Sequence, residues 1–246
     1  MPHTLSEPHE SPSRLLILGY HKIGPPPEDG WESWYYVSEV AFEQTLAALR
    51  KADWTPIDAA ALVRGLEGEP LPPRSVLVTF DDGYRSALRH ALPVLRHTGF
   101  PAVMFVPTDF VGGTNEFDRD VEPEEPICGW EELRELERSG VSVQSHGATH
   151  RGFAELSQQD RHEELRRSKA QLEERLGKRV DLFSFPYGDD GDDPTAAARS
   201  LAAAGYRAAC LYGGGVNVLP VPSPYRLERV AMGPDSNLHE FFGVER

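Results

Sequence analysis

Strand-like apolar runs alternate with helical stripes along most of the 246-residue chain, and this alternation constrains the fold more than any other feature. The run 15–20 reads as a buried strand. Ser38 caps a helix whose apolar stripe is Phe42, Leu46 and Leu49. Asp58 caps a short helix over 59–64, and 76–80 forms the next strand. A helix carrying Leu88, Leu92 and Leu95 ends at Gly99, before a strand over 102–106 and an irregular acidic stretch over 112–126. A helix over 130–139 stops at Gly140, and 141–145 alternates with period two. The longest helix opens at Ser157, where Ser157-Gln158-Gln159-Asp160 resembles a capping box. Leu165, Leu172 and Leu176 form its stripe, and Gly177 ends it. A strand over 182–185, a helix opened by Asp193-Pro194, and strands over 206–211 and 226–231 follow.

This pattern amounts to about seven strand–helix units with no linker between them, so one parallel α/β domain is expected over 15–246. A disordered tail, 1–14, is expected before it. The placement of polar residues decides between a barrel and an open sheet. His21, Asp81-Asp82, His146 and Pro186-Tyr187 each follow a strand, where a (β/α) barrel carries its active site. An open doubly wound sheet favours a Gly-rich first turn, which Gly19-Tyr20-His21 is not. A barrel is the expected fold.

Asp81 and Asp82 sit where the buried run 76–80 meets a turn. Buried carboxylates are costly unless paired, hydrogen-bonded or bound to a metal, and adjacency raises the cost. Further along, His146 and His150 stand four positions apart after another strand. An HxxxH spacing alone is more often solvated helix surface, but Gly147 and the preceding strand disfavour a helix here, so both rings are expected on one loop. One carboxylate and two imidazoles form a common ligand set for a catalytic divalent ion. Asp82, His146 and His150 are therefore the expected ligands, with Zn2+ first and Co2+, Ni2+, Fe2+ or Mn2+ compatible. Asp81 is left as a general base. A helix cap needs only one of the two carboxylates.

Thr-Phe-Asp-Asp-Gly (79–83), Ser-His-Gly-Ala-Thr-His (145–150) and Phe-Pro-Tyr-Gly (185–188) together resemble the motifs of the polysaccharide deacetylase (NodB-homology, carbohydrate esterase) family. Leu-Gly-Tyr-His-Lys-Ile (18–23) resembles the subset with Tyr-His on the first strand, as in poly-N-acetylglucosamine deacetylases. The resemblance runs from about Leu15 to Met232 and implies a distorted (β/α) barrel. It also implies Asp81 as catalytic base and Asp82, His146 and His150 as metal ligands. Pro186 and Tyr187 would line the groove, with the Tyr187 N–H aiding the oxyanion. In the family's usual order the general-acid His lies near the C-terminus in a Leu-x-His motif; none stands there, where His239 follows Asn237-Leu238 in the expected tail. His21 takes the general-acid role by analogy with the Tyr-His subset. The third motif usually begins with an Arg that steadies the catalytic Asp. Ser184 stands there instead, and Arg229 in the last strand is a replacement on position alone.

The implied activity is metal-dependent hydrolysis of an N-acetyl group on an amino sugar. Two alternatives stand beside it: a hydrolase of a non-sugar amide or imide, and a weakly active carbohydrate-binding relative. A net charge of −14 argues against nucleic acid as a partner. The expected partner is an N-acetylated carbohydrate; oligomeric state is not legible. Cys128 and Cys210 lie in no CxxC motif and are expected as buried free thiols. With no apolar run long enough for a bilayer and no export signal seen, a cytoplasmic protein is expected. Asp189-Asp190-Gly191-Asp192-Asp193 reads as a solvated loop with a helix cap. Trp31 and Trp34 are candidates for stacking on a sugar ring.

Overall fold

The computed structural model describes residues 12–28 and 31–238; most of the expected N-terminal tail, and His239, lie outside them. In chain order the elements are β1 (Arg14–Tyr20), β2 (Lys22–Ile23), β3 (Tyr36–Val37), α1 (Glu39–Lys51), β4 (Thr55–Pro56), α2 (Ala59–Leu66) and β5 (Arg74–Phe80). Next come α3 (Leu92–Thr98), β6 (Ala102–Val106), α4 (Trp130–Arg138), β7 (Val141–Ser145), α5 (Gln158–Leu176) and β8 (Leu182–Ser184). α6 (Pro194–Ala203), β9 (Ala208–Cys210), β10 (Asn217–Val218) and β11 (Val230–Ala231) follow.

Strands β1, β5, β6, β7, β8 and β9 are successive parallel neighbours in one curled sheet. β11 pairs with β1 through Leu18↔Val230, while Leu227 bridges to Cys210 of β9. The segment 227–231 thus joins the two edges of the sheet, giving the distorted barrel. The distortion has a local cause. β5 shares one side between β4 at its start and β6 at its end. β1 is likewise paired by antiparallel β10 at its start and by β11 further on.

Alternation along the strands divides the core into two layers. Leu16, Leu18, Tyr20, Val76, Val78, Phe80 and Met104 pack outward with Phe42, Leu46 and Leu49 of α1, Leu133 of α4 and Leu165 and Leu172 of α5. The opposite parity, Leu15, Ile17, Leu77, Val103, Phe105, Leu182, Cys210 and Leu227, fills the interior with Ile57, Ala59 and Leu62 from the α2 region. Counting on by two from the inward residues reaches His21, Asp81, Ser184, Tyr212 and Arg229. The barrel interior is therefore apolar where the strands begin and polar where they end, and this gradient places the site.

Helix ends follow the sequence closely. Ser38, Asp58, Ser157 and Asp193 each accept a backbone N–H as N-caps. Gly99 and Gly177 close their helices in the left-handed conformation. The differences are local. The expected helix around Leu88 begins as a π-helical turn, 87–91, before α3, and Leu88 and Leu176 pack only at the edge of the core. The strands expected over 206–211 and 226–231 shorten to three and two residues. Cys128 and Cys210 are buried free thiols. Among the described residues no helix is long and apolar enough to cross a membrane.

Candidate active site

Asp82, His146 and His150 converge at the strand ends, each offering a ligand atom within 4.8 Å of the others. Nε2 of His150 lies 3.0 Å and Nε2 of His146 3.3 Å from Asp82 Oδ1. The opposite ring nitrogens are held from outside: His146 Nδ1 sits 2.7 Å from the Ser184 carbonyl and His150 Nδ1 3.2 Å from the Tyr187 hydroxyl. A neutral imidazole that donates through Nδ1 presents its Nε2 lone pair inward, as metal ligands commonly do. Asp82 Oδ1 is buried and accepts no well-formed hydrogen bond. Its carboxyl, which burial alone would raise, is drawn well below the usual range by His150 and His146. This donor set fits a divalent cation.

The local backbone is strained where these groups sit. Of five non-glycine residues with positive φ among those described, three are Asp82, His150 and Tyr187. Each such conformation costs about 1–3 kcal/mol and persists only where the surroundings enforce it. Glu164 of α5 supplies part of that enforcement. Its carboxylate accepts from the N–H groups of Ala148 and Thr149 and from the Thr149 hydroxyl, fixing the loop between the two histidines.

Asp81 is buried and gripped by Arg229, whose Nη1 and Nη2 donate to its two oxygens at 2.8 and 2.7 Å. Arg229 is 0% exposed, and its remaining N–H groups reach Thr79 Oγ1, Ser184 Oγ and the Leu211 carbonyl. Ser184, where the family motif usually has Arg, accepts a hydrogen bond from a guanidinium that arrives from the last strand segment. Burial would raise the Asp81 carboxyl, but Arg229 more than offsets it and holds it below its usual value. Two buried carboxylates thus face one buried guanidinium, leaving one negative charge for a bound cation.

His21 stands across the cavity, with Nε2 3.8 Å from Asp82 Oδ2. Burial lowers its pKa, opposed by Asp82 and Asp81. His21, Asp81, Asp82, His146, His150 and Tyr187 all line one cavity of about 280 Å3, small for a ligand site. Tyr187 is 58% exposed at its mouth, whereas Pro186 is buried and does not line it. Trp31 and Trp34 are exposed but also outside the lining, and Trp34 hydrogen-bonds to Asp235; within this segment it is Tyr35 that lines the cavity, against His21. The acidic run 189–193 divides into a loop brace at Asp189, an Arg226 partner at Asp190 and a helix cap at Asp193.

Sequence reasoning missed Glu164, Asp118, Lys22, Glu122 and Tyr212. Buried Lys22 pairs with Glu122 at 2.6 Å, and Ser33 donates to the same carboxylate. This anchors the 112–126 stretch over the cavity, and Asp118 there accepts from the Tyr187 hydroxyl. The adjacency of Lys22 to His21 was the only available signal.

The polysaccharide deacetylase family pattern matches residues 68–209, more than half of the chain, and the chain belongs to that family. It is 25% identical over 192 residues to YxkH of Bacillus subtilis (strain 168), named after the same family, covering 77% of this chain and 62% of that protein. It is 29% identical over 138 residues to the poly-beta-1,6-N-acetyl-D-glucosamine N-deacetylase of Escherichia coli (strain K12), covering 54% of this chain and 20% of that protein. The chain therefore spans less than two thirds of either relative. The structure of IcaB from Ammonifex degensii superposes with a TM-score of 0.77 at 29% identity, over 91% of this chain and 94% of that one.

The ligand geometry carries a direct prediction. The double variant His146→Ala/His150→Ala is expected to lose divalent-ion binding in equilibrium dialysis, since a single carboxylate remains. Retention equal to wild type would remove these residues from the metal site.

Proposed function

We propose that this chain is a metal-dependent N-deacetylase acting on N-acetylated amino sugars, with N-acetylglucosamine oligomers as the substrate class suggested by its relatives. The observation that carries the reading is the single cavity joining the Asp82–His146–His150 ligand set, the Arg229-held Asp81 and His21. Asp82, His146 and His150 would hold the ion, Zn2+ first. When bound, a divalent ion supplies Lewis-acid chemistry, polarising the acetyl carbonyl and easing deprotonation of the attacking water.

The residues divide the remaining work. Asp81 takes a proton from water as the water oxygen bonds to the acetyl carbon. Arg229 keeps Asp81 ionised and fixes its orientation, at a cost in basicity that the ion's effect on water offsets. The Tyr187 N–H would support the developing oxyanion. His21 donates a proton to the nitrogen as the C–N bond breaks, releasing amine and acetate. The rival reading of a weakly active sugar-binding relative rested on the missing Arg at position 184; the Arg229–Asp81 pair removes that support.

The test is acetate release from β-1,6-linked N-acetylglucosamine oligomers and free N-acetylglucosamine by ion-loaded protein. Release that stops on chelation and returns with Zn2+ is expected. No release from any N-acetylated sugar with Zn2+, Co2+, Ni2+, Fe2+ or Mn2+ would overturn the assignment.

A further inference from the structure

Tyr212, just after β9, touches both halves of the proposed chemistry. Its hydroxyl lies 3.4 Å from His21 Nδ1, with the two rings edge to face at 5.1 Å. The Arg229 guanidinium, which grips Asp81, lies 5.4 Å from the Tyr212 ring centroid. Two glycines make the room. A Cβ on Gly19 would come within 3.2 Å of the Tyr212 ring, and one on Gly188 within 2.7 Å of the Tyr212 amide nitrogen. Gly188 also has φ +69°, a conformation that other residues rarely adopt. Tyr35 covers His21 from another side at 4.6 Å between centroids. His21 is therefore confined by two aromatic rings, with Nδ1 toward the Tyr212 hydroxyl and Nε2 toward Asp82.

We propose that Tyr212 is the positioning residue for the general acid: its hydroxyl oxygen accepts the Nδ1–H of His21, so the proton passed to the leaving amine is the one on Nε2. The inference rests on the deacetylase reading for its catalytic meaning. Tyr212 is not itself the acid. Burial raises its hydroxyl pKa further above an already high ordinary value, so it stays protonated. After Nε2 gives up its proton, the Nδ1–H remains bound and the Nε2 lone pair still faces the cavity. Without the hydroxyl, the neutral ring takes either tautomer, and the Nε2–H form presents no lone pair to the cavity for the next proton.

Tyr212→Phe keeps the ring that packs at Gly19 and lies against Arg229, while removing the hydroxyl alone. Two substrates separate positioning from packing. An N-acetyl amino sugar needs a proton on its leaving nitrogen; p-nitrophenyl acetate leaves as a stable phenolate and needs none. The expected result is a roughly tenfold or greater fall in kcat on the amide, a fraction of the roughly 10^2–10^4-fold worth of a general acid, with KM nearly unchanged. Hydrolysis of the activated ester stays within about twofold of wild type. Equal losses on both substrates, or no loss on the amide, would overturn the proposal. Nitrogen-15 NMR of the neutral His21 ring gives a readout without turnover: one Nδ1–H tautomer in wild type and a mixture in Tyr212→Phe. Identical spectra would overturn it as well. If wild type released no acetate from any sugar, the deacetylase reading would fail while the spectra still decided the Tyr212–His21 link.

Discussion

Arg229→Met is expected to destabilise the protein by about 3–5 kcal/mol, the usual consequence of removing one partner from a buried ion pair. The side chain is 0% exposed and serves four groups at once: Asp81, Thr79, Ser184 and the Leu211 carbonyl. Methionine would fill much of the volume but leave the Asp81 carboxylate buried without a counter-charge, beside acceptors that have lost their donor. Arg229→Lys is expected to lose less stability, because an ammonium keeps the charge but does not match both Asp81 oxygens in a planar fork. Urea unfolding measures both variants. The Arg229→Met/Asp81→Asn double variant is expected to be more stable than the sum of the two single losses, because the pair is removed together. Additive losses would mean that Arg229 stabilises the strand end through packing and its bonds to Thr79, Ser184 and Leu211, not through Asp81.

The same arginine shows how far the sequence reaches: position offered Arg229 as a replacement, but nothing local fixed its contact with Asp81. The barrel was legible because each strand declares itself by local residues, such as Leu15-Leu16-Ile17-Leu18 or Val76-Leu77-Val78, and each helix by its cap. Ser38, Asp58, Ser157 and Asp193 cap where they were expected because capping depends on residues three positions away. The paired aspartates and spaced histidines were legible for a related reason: each is a cluster in sequence before it is one in space. Arg229 reaches Asp81 across 148 residues, and Tyr212 reaches His21 across 191. No periodicity encodes those meetings. They follow from inward parity at the ends of strands whose neighbours are known only after closure. The two-residue strands β4 and β10 escaped for the complementary reason: Thr55–Pro56 and Asn217–Val218 carry no pattern of their own and are strands only because β5 and β1 offer them an edge.

Asp81→Asn is expected to lower kcat for acetate release by about 10^2–10^4-fold, the range for loss of a general base. The amide keeps nearly the same shape and can still accept from Arg229, but it cannot take a proton from water. It also leaves the guanidinium without its counter-charge, so part of any activity loss could come from unfolding. Turnover must therefore be measured well below the unfolding midpoint, at a matched folded fraction. Divalent-ion binding separates the remaining explanations. Asp82, His146 and His150 would form the ligand set without Asp81, so the variant is expected to bind the ion with affinity close to wild type. A variant that binds the ion normally, stays folded and still releases acetate near the wild-type rate would remove Asp81 as the base. A variant that loses both ion and activity would show that the two carboxylates act together as ligands. The adjacent pair would then be a shared metal clamp rather than a ligand beside a base.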